Sequence, residues 1–144
     1  MEVFVANEQD MPVDEARLSA LARHTLVSEE VDANAELSVL LVTRDHIREL
    51  NARYAGEDHP TDVLAFPMME DEEDGVLLGD VVICPRIAGH NASSMGHSLA
   101  RELDTILVHG TLHLLGYDHQ GPDERAAMER RLRELLDSFR TAQV

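Results

Sequence analysis

Three histidines fall within eleven consecutive residues, His109-Gly110-Thr111-Leu112-His113-Leu114-Leu115-Gly116-Tyr117-Asp118-His119. His109 and His113 are four apart, so on a helix they share one face about one turn from each other. That spacing lets two imidazole nitrogens converge on one ion. Gly116 lies three residues beyond His113, where glycine can take the left-handed conformation that ends a helix. The chain then reverses and can return His119 as a third ligand. Three histidines with an open fourth position form the arrangement of a catalytic rather than a structural zinc. Water at such a position is acidified toward a pKa of ~7 and becomes a nucleophile. The plain alternative is a set of satisfied histidines at a buried helix end, or favourable charges near its C-terminus.

The spacing H-x-x-x-H-x-x-G-x-x-H equals the metzincin ligand pattern. Those proteases carry Glu directly after the first His as general base, whereas this chain has Gly110 there. Glu102 shares the helix face but lies about two turns upstream, ~10 Å along the axis, too far to serve the same water. No general base is visible, and the catalytic residues stay unassigned beyond the ligands.

These residues need a buried helix to hold them. Leu99, Leu103, Ile106, Leu107, Gly110 and Leu114 make one apolar stripe, and Val108, Leu112 and Leu115 make much of the other side apolar. A helix apolar nearly all round is buried, and the sequence predicts it over Ser98 to Leu115. Residues 3–7 read as a first strand. Asp14-Glu15 favour a helix N-terminus running to about Val27, with Pro12 able to sit in its first turn. Glu36 to Val42 is an apolar run expected to be a central strand. Thr43 is a good N-cap for a helix carrying Ile47, Leu50 and Tyr54. Thr61 to Phe66 reads as a strand stopped by Pro67, and the acidic stretch Met68 to Gly75 as a hairpin or loop. Leu77 to Cys84 is the last strand, closed by Pro85. Helices follow over Ile87 to about Ser94, then the histidine helix, then Pro122 to about Arg140. The order β-α-β-α-β-β-α-α-α predicts an α/β (α+β) fold. It is a single domain over residues 1–144, with one mixed sheet of about four strands covered by helices and a zincin-like metal helix.

The 144 residues are 44% apolar and 3% aromatic, so aliphatic side chains must fill the core. Cys84 is the one cysteine and excludes an internal disulfide. The N-terminal residues lack a basic and then apolar signal, and no apolar run nears the ~20 residues that span a bilayer, so the cytoplasm is the expected compartment and no membrane partner is expected. Acidic residues number 28 against 12 basic ones, a formal charge of −16, and every base is Arg. Such a field repels nucleic acid at long range. An RNA substrate would need a local Arg cluster, the metal, or a partner that supplies positive charge.

The histidine segment, together with Pro60-Thr61-Asp62-Val63-Leu64-Ala65-Phe66-Pro67, Leu78-Gly79-Asp80-Val81-Val82-Ile83, Gly96-His97-Ser98 and Arg101-Glu102-Leu103, resembles the YbeY family over nearly the whole chain. The resemblance implies an endoribonuclease that cuts single-stranded rRNA with one Zn²⁺ per chain. It implies His109, His113 and His119 as the zinc ligands. It also implies maturation of the 3′ end of 16S rRNA, ribosome quality control, and contact with the small ribosomal subunit or its assembly factors. The family often has Tyr-Arg-Gly where this chain has Tyr54-Ala55-Gly56, and that Arg is implied in RNA contact or catalysis. Ala65 stands where the family usually has Ser. Two other readings of the chain remain: a ribosome-assembly binding factor with a largely structural zinc, and a zinc peptidase or amidase.

Other polar residues carry two readings each. Asp62 and Asp80 cap turns or orient a ligand histidine from behind. Asp118 caps the last helix or supports His119 from behind. His24, His46, His59, His90 and His97 read as surface or packing residues. Arg125, Arg130, Arg131, Arg133 and Arg140, interleaved with Glu124, Glu129 and Glu134, read as a solvated, salt-bridged helix face.

Overall fold

A computed structural model describes residues 1–72, 75–118 and 120–142. Four strands form one sheet: β1 (Glu2–Asn7), β2 (Ala35–Leu41), β3 (Val63–Glu72) and β4 (Gly75–Ile83). Their order is β1-β2-β4-β3. β1, β2 and β4 run parallel, and β3 runs antiparallel to β4 at the edge. The sheet is therefore mixed, as the element order predicts.

Side-chain alternation divides the sheet into two faces. Leu37, Val39 and Leu41 of β2 and Val81 and Ile83 of β4 join the main core. Val82 points the other way, into a smaller cluster with Val42, Ile47, Cys84, Leu64 and Phe66. The main face is covered by α1 (Glu15–Ser28), α4 (Leu99–Leu114) and α5 (Pro122–Ala142), while α2 (Arg44–Ala55) covers the smaller cluster. Helix α3 (Pro85–Met95) leads out of β4 with proline in its first turn and packs on α4.

Helix α4 is the centre of the packing, touching β3, β4, α1, α3 and α5. Leu107, Val108 and Leu112 are completely buried, and each contributes about 1.5–3 kcal/mol by leaving water. Ser98 caps its N-terminus, its side chain accepting from the Arg101 N–H. Gly116 stops it with φ +100°. There the Gly116 N–H donates to the His113 carbonyl and the Tyr117 N–H to the Leu112 carbonyl, a Schellman closure.

The helix also carries two buried acids. Asp104 is 2% exposed and accepts from Arg17 at 2.8 Å, with Arg140 at 3.7 Å. The Arg17 guanidinium is raised above its ordinary pKa by this hydrogen bond. Glu102 meets His97 at 3.0 Å. Sequence patterning placed neither acid inside. It also read the α5 arginines as solvated, whereas Arg131 bridges to Glu29 and Arg140 to Asp104. These pairs tie α1 and α5 to the fold.

The structure departs from the sequence reading at Pro12, Pro67 and Tyr54. Helix α1 begins at Glu15 with Asp14 as N-cap, so Pro12 precedes the helix instead of sitting in its first turn. β3 does not stop at Pro67 but continues to Glu72, which pairs antiparallel with Gly75 of β4, so the hairpin alternative for this stretch holds and the strand end at Pro67 does not. Pro67 is tolerated because β3 is an edge strand and the register shifts between Pro67 and Glu70. Its partner Gly79 has φ +139°, and a Cβ there would lie 2.2 Å from the Phe66 carbonyl oxygen, so glycine is what lets the strands pass. Of the three apolar residues noted on α2, Ile47 is buried whereas Tyr54 is 63% exposed. No helix among the described residues is long and apolar enough to cross a membrane.

Candidate metal centre and cleft

His109 and His113 stand in the last turns of α4, where the helix passes the edge strand. Both line one cleft of about 490 Å³ with Gly110, Ala55, Val63, Leu64 and Ala65. The Nδ1 atom of His113 is wholly shielded from solvent. The cleft floor is β3, so the segment Val63-Leu64-Ala65 reaches the histidines through the tertiary packing of an edge strand. Sequence reading identified that segment as a strand but not as the opposite wall.

Close packing at Gly110 sets the distance between helix and sheet. A Cβ on Gly110 would lie 2.9 Å from Val81 Cγ1 and 3.4 Å from Val63 Cγ2. The backbone of α4 can therefore approach β4 and β3 more closely than any other residue would permit. The flanking His109 and His113 then sit over the edge of the sheet rather than above its middle. The same contact leaves no room for a glutamate side chain after the first histidine.

The third expected ligand, His119, lies outside the described residues. Among the described residues no group of three His, Cys, Asp or Glu side chains comes together to hold a metal. Gly116 turns the chain as the spacing predicts. Tyr117 fastens the turn, its hydroxyl donating to Glu29 Oε2 at 2.9 Å while Arg131 also bonds Glu29. Burial, together with the neighbouring Glu29 carboxylate, raises the Tyr117 hydroxyl above its ordinary pKa. Asp118 accepts from the Gln120 N–H, a turn contact.

The remaining candidates separate from the cleft. Asp62 receives the Thr61 hydroxyl at 3.4 Å, and its carbonyl accepts from the Cys84 N–H. Asp80 sits mid-strand opposite Phe66. Since Val81 meets α4, Asp80 faces the other side of the sheet, and neither turn capping nor support of a histidine describes it. His24 bonds Ser138, His59 meets Glu57, and His97 meets Glu102. Ala55 lies on the cleft wall with both histidines.

Burial pushes the Asp80 carboxyl above its ordinary value. The folded chain therefore holds that proton more tightly than the unfolded chain does. Stability falls as pH rises from the ordinary carboxylate range through the raised value, and the cost of the buried charge is fully present at neutral pH. Asp80→Asn is expected to raise the melting temperature at pH 7. The gain should shrink as pH is lowered toward 4, the ordinary carboxylate value. Thermal melts across pH check this, and a constant or growing gain at low pH contradicts it.

Comparison with known proteins agrees with this architecture. The family model described as Endoribonuclease YbeY matches residues 4–140. The endoribonuclease YbeY of Thermobifida fusca is 47% identical over 148 residues, covering 97% of this chain and 95% of that protein. The one from Salinispora tropica is 46% identical over 153 residues, covering 98% of each. Among solved structures, the solution structure of TM1509 from Thermotoga maritima superposes with a TM-score of 0.64 at 28% identity, covering 97% of this chain and 93% of that one. With the histidine helix, its glycine stop and the edge-strand cleft all in one fold, the chain belongs to the YbeY family of endoribonucleases, which are hydrolytic nucleases.

Proposed function

We propose that the chain is a zinc-dependent endoribonuclease that cuts single-stranded rRNA in the cytoplasm, in maturation of the 3′ end of 16S rRNA and in ribosome quality control, working on or beside the small ribosomal subunit. The observation that carries the reading is the pairing of His109 and His113 on one wall of an open cleft, seated by a glycine packed against the sheet. Neutral imidazoles suit zinc. His119, three residues past Gly116, is the proposed third ligand. Zinc, when bound, supplies Lewis acidity toward a phosphate oxygen or toward water. The chain's own part is to orient the donors. The Schellman closure fixes where α4 ends, and Tyr117, Glu29 and Arg131 hold the turn that leads to His119. The cleft is lined by the edge strand β3, along which an extended strand of RNA is proposed to lie.

The peptidase reading loses support at Gly110, whose surroundings exclude the glutamate that reaction uses. For the nuclease reading, metal-loaded protein should cleave single-stranded rRNA fragments. Cleavage should stop on chelation and return on adding zinc, with one zinc per chain by elemental analysis. Cleavage that survives complete metal removal overturns the zinc dependence. Ribosome binding by a chain that never cleaves would favour the assembly factor.

A further inference from the structure

Tyr54, next in sequence to the cleft-lining Ala55, is left outside the core. Tyr54 is 63% exposed, yet it is held in place. Phe66, rooted in the smaller cluster, meets its ring edge-on, with centroids 5.4 Å apart and planes at 69°. The next residue, Ala55, lines the cleft with His109 and His113. The Arg53 guanidinium stands 6.0 Å from the ring centroid, is 62% exposed, and has Glu49 at 3.5 Å. One edge of the ring is braced by Phe66 and much of the remaining surface faces solvent, and the next residue in the chain lines the proposed reaction site.

The charge of the chain strengthens the point. At −16 it attracts a phosphate backbone poorly, and no cation stands at position 55 to help. Base stacking on an aromatic face is independent of net charge and tolerant of sequence. We propose that Tyr54 is a stacking platform for an unpaired base flanking the scissile phosphate, with Arg53 meeting the adjacent backbone. The proposal rests on the nuclease reading above and names a substrate-positioning residue for it. A single-stranded substrate is then favoured because a paired base offers no free face.

The chain has no tryptophan, so Tyr54→Trp introduces a unique fluorophore at the platform. A single-stranded 2′-O-methyl oligonucleotide should quench its emission on mixing, and the matching abasic oligonucleotide should not. In cleavage assays Tyr54→Ala should raise KM about tenfold, with kcat changed by less than about twofold, and Tyr54→Phe should restore KM. A residue with a structural role alone would lower the melting temperature and kcat together. Absent quenching, or equal quenching by the abasic strand, overturns the proposal. So does an unchanged KM in Tyr54→Ala when the unmodified chain cleaves RNA, and that result leaves the nuclease reading intact. If the unmodified chain cleaves nothing, the nuclease reading fails, while the quenching measurement still decides the platform. Loss of ribosomal-subunit binding in Tyr54→Ala with unchanged RNA affinity would make the ring a protein contact and refute it.

Discussion

Replacing His113 by alanine is expected to remove bound zinc and RNA cleavage together. The side chain lines the cleft beside His109, and its Nδ1 atom is sealed from water. Losing one of three proposed donors leaves a pair that binds zinc far more weakly. Lewis-acid stabilisation of the reaction is worth several kcal/mol, so kcat/KM should fall about 10³-fold or more. The fold should survive, because α4 is anchored by Leu107 and Leu112, both completely buried on other faces of the helix. A loss of about 1–2 kcal/mol in stability is expected from the vacated side chain. Elemental analysis, circular dichroism and cleavage of a single-stranded rRNA fragment read the three effects separately. His109→Ala and His119→Ala should behave alike, and His24→Ala, whose ring bonds Ser138, should keep its zinc. A folded His113→Ala protein that retains a full zinc equivalent and cleaves RNA would rule out this ligand set.

Much of this arrangement is visible in one dimension because local rules dominate where the site is built. The i, i+4 histidines, the all-round apolar helix and the glycine three residues on each follow from helix geometry, and α4 ends at Gly116 as they require. The mixed sheet follows from the order of elements and the continuous apolar run of β2. What stayed hidden depends on contacts distant in sequence. Pro67 signals a strand end by its missing N–H, but on an edge strand opposite Gly79 the ladder goes on. Tyr54 falls at helical spacing from Ile47 and Leu50, yet α2 covers only a small cluster, and its last residue, Ala55, lines the cleft. Nothing local marks Asp104 and Glu102 as buried, because their partners, Arg17 in α1 and His97 before α4, are brought to them by the fold. Ala55 carries no chemistry of its own, so its place on the cleft wall is a purely tertiary fact.

A single added methyl group at Gly110 should damage both the fold and the metal site. Alanine is the better helix former by about 1 kcal/mol, so an exposed glycine in this helix would gain from the change. At Gly110 the new Cβ would lie 2.9 Å from Val81 Cγ1 and 3.5 Å from Val81 Cγ2. Val81 is completely buried in an interior strand and, being β-branched, is stiff about χ1, so it cannot swing aside. The helix must lift instead. Overpacking of this kind costs about 1–3 kcal/mol, enough to outweigh the propensity gain. Lifting α4 carries His109 and His113 away from the cleft wall, so zinc affinity should drop about tenfold or more, given how closely a metal holds its ligand distances. The double variant Gly110→Ala/Val81→Ala separates the two effects. Removing both valine methyls makes room for the new Cβ, so zinc affinity should recover, while the melting temperature stays below that of the unmodified chain because buried apolar volume is lost. Zinc titrations and thermal melts on the two single variants and the double then give a coupling energy expected at about 0.5–3 kcal/mol. Additive effects, or a Gly110→Ala protein as stable and as tight for zinc as the original, would show that helix-to-sheet contact at this residue does not set the position of the histidines.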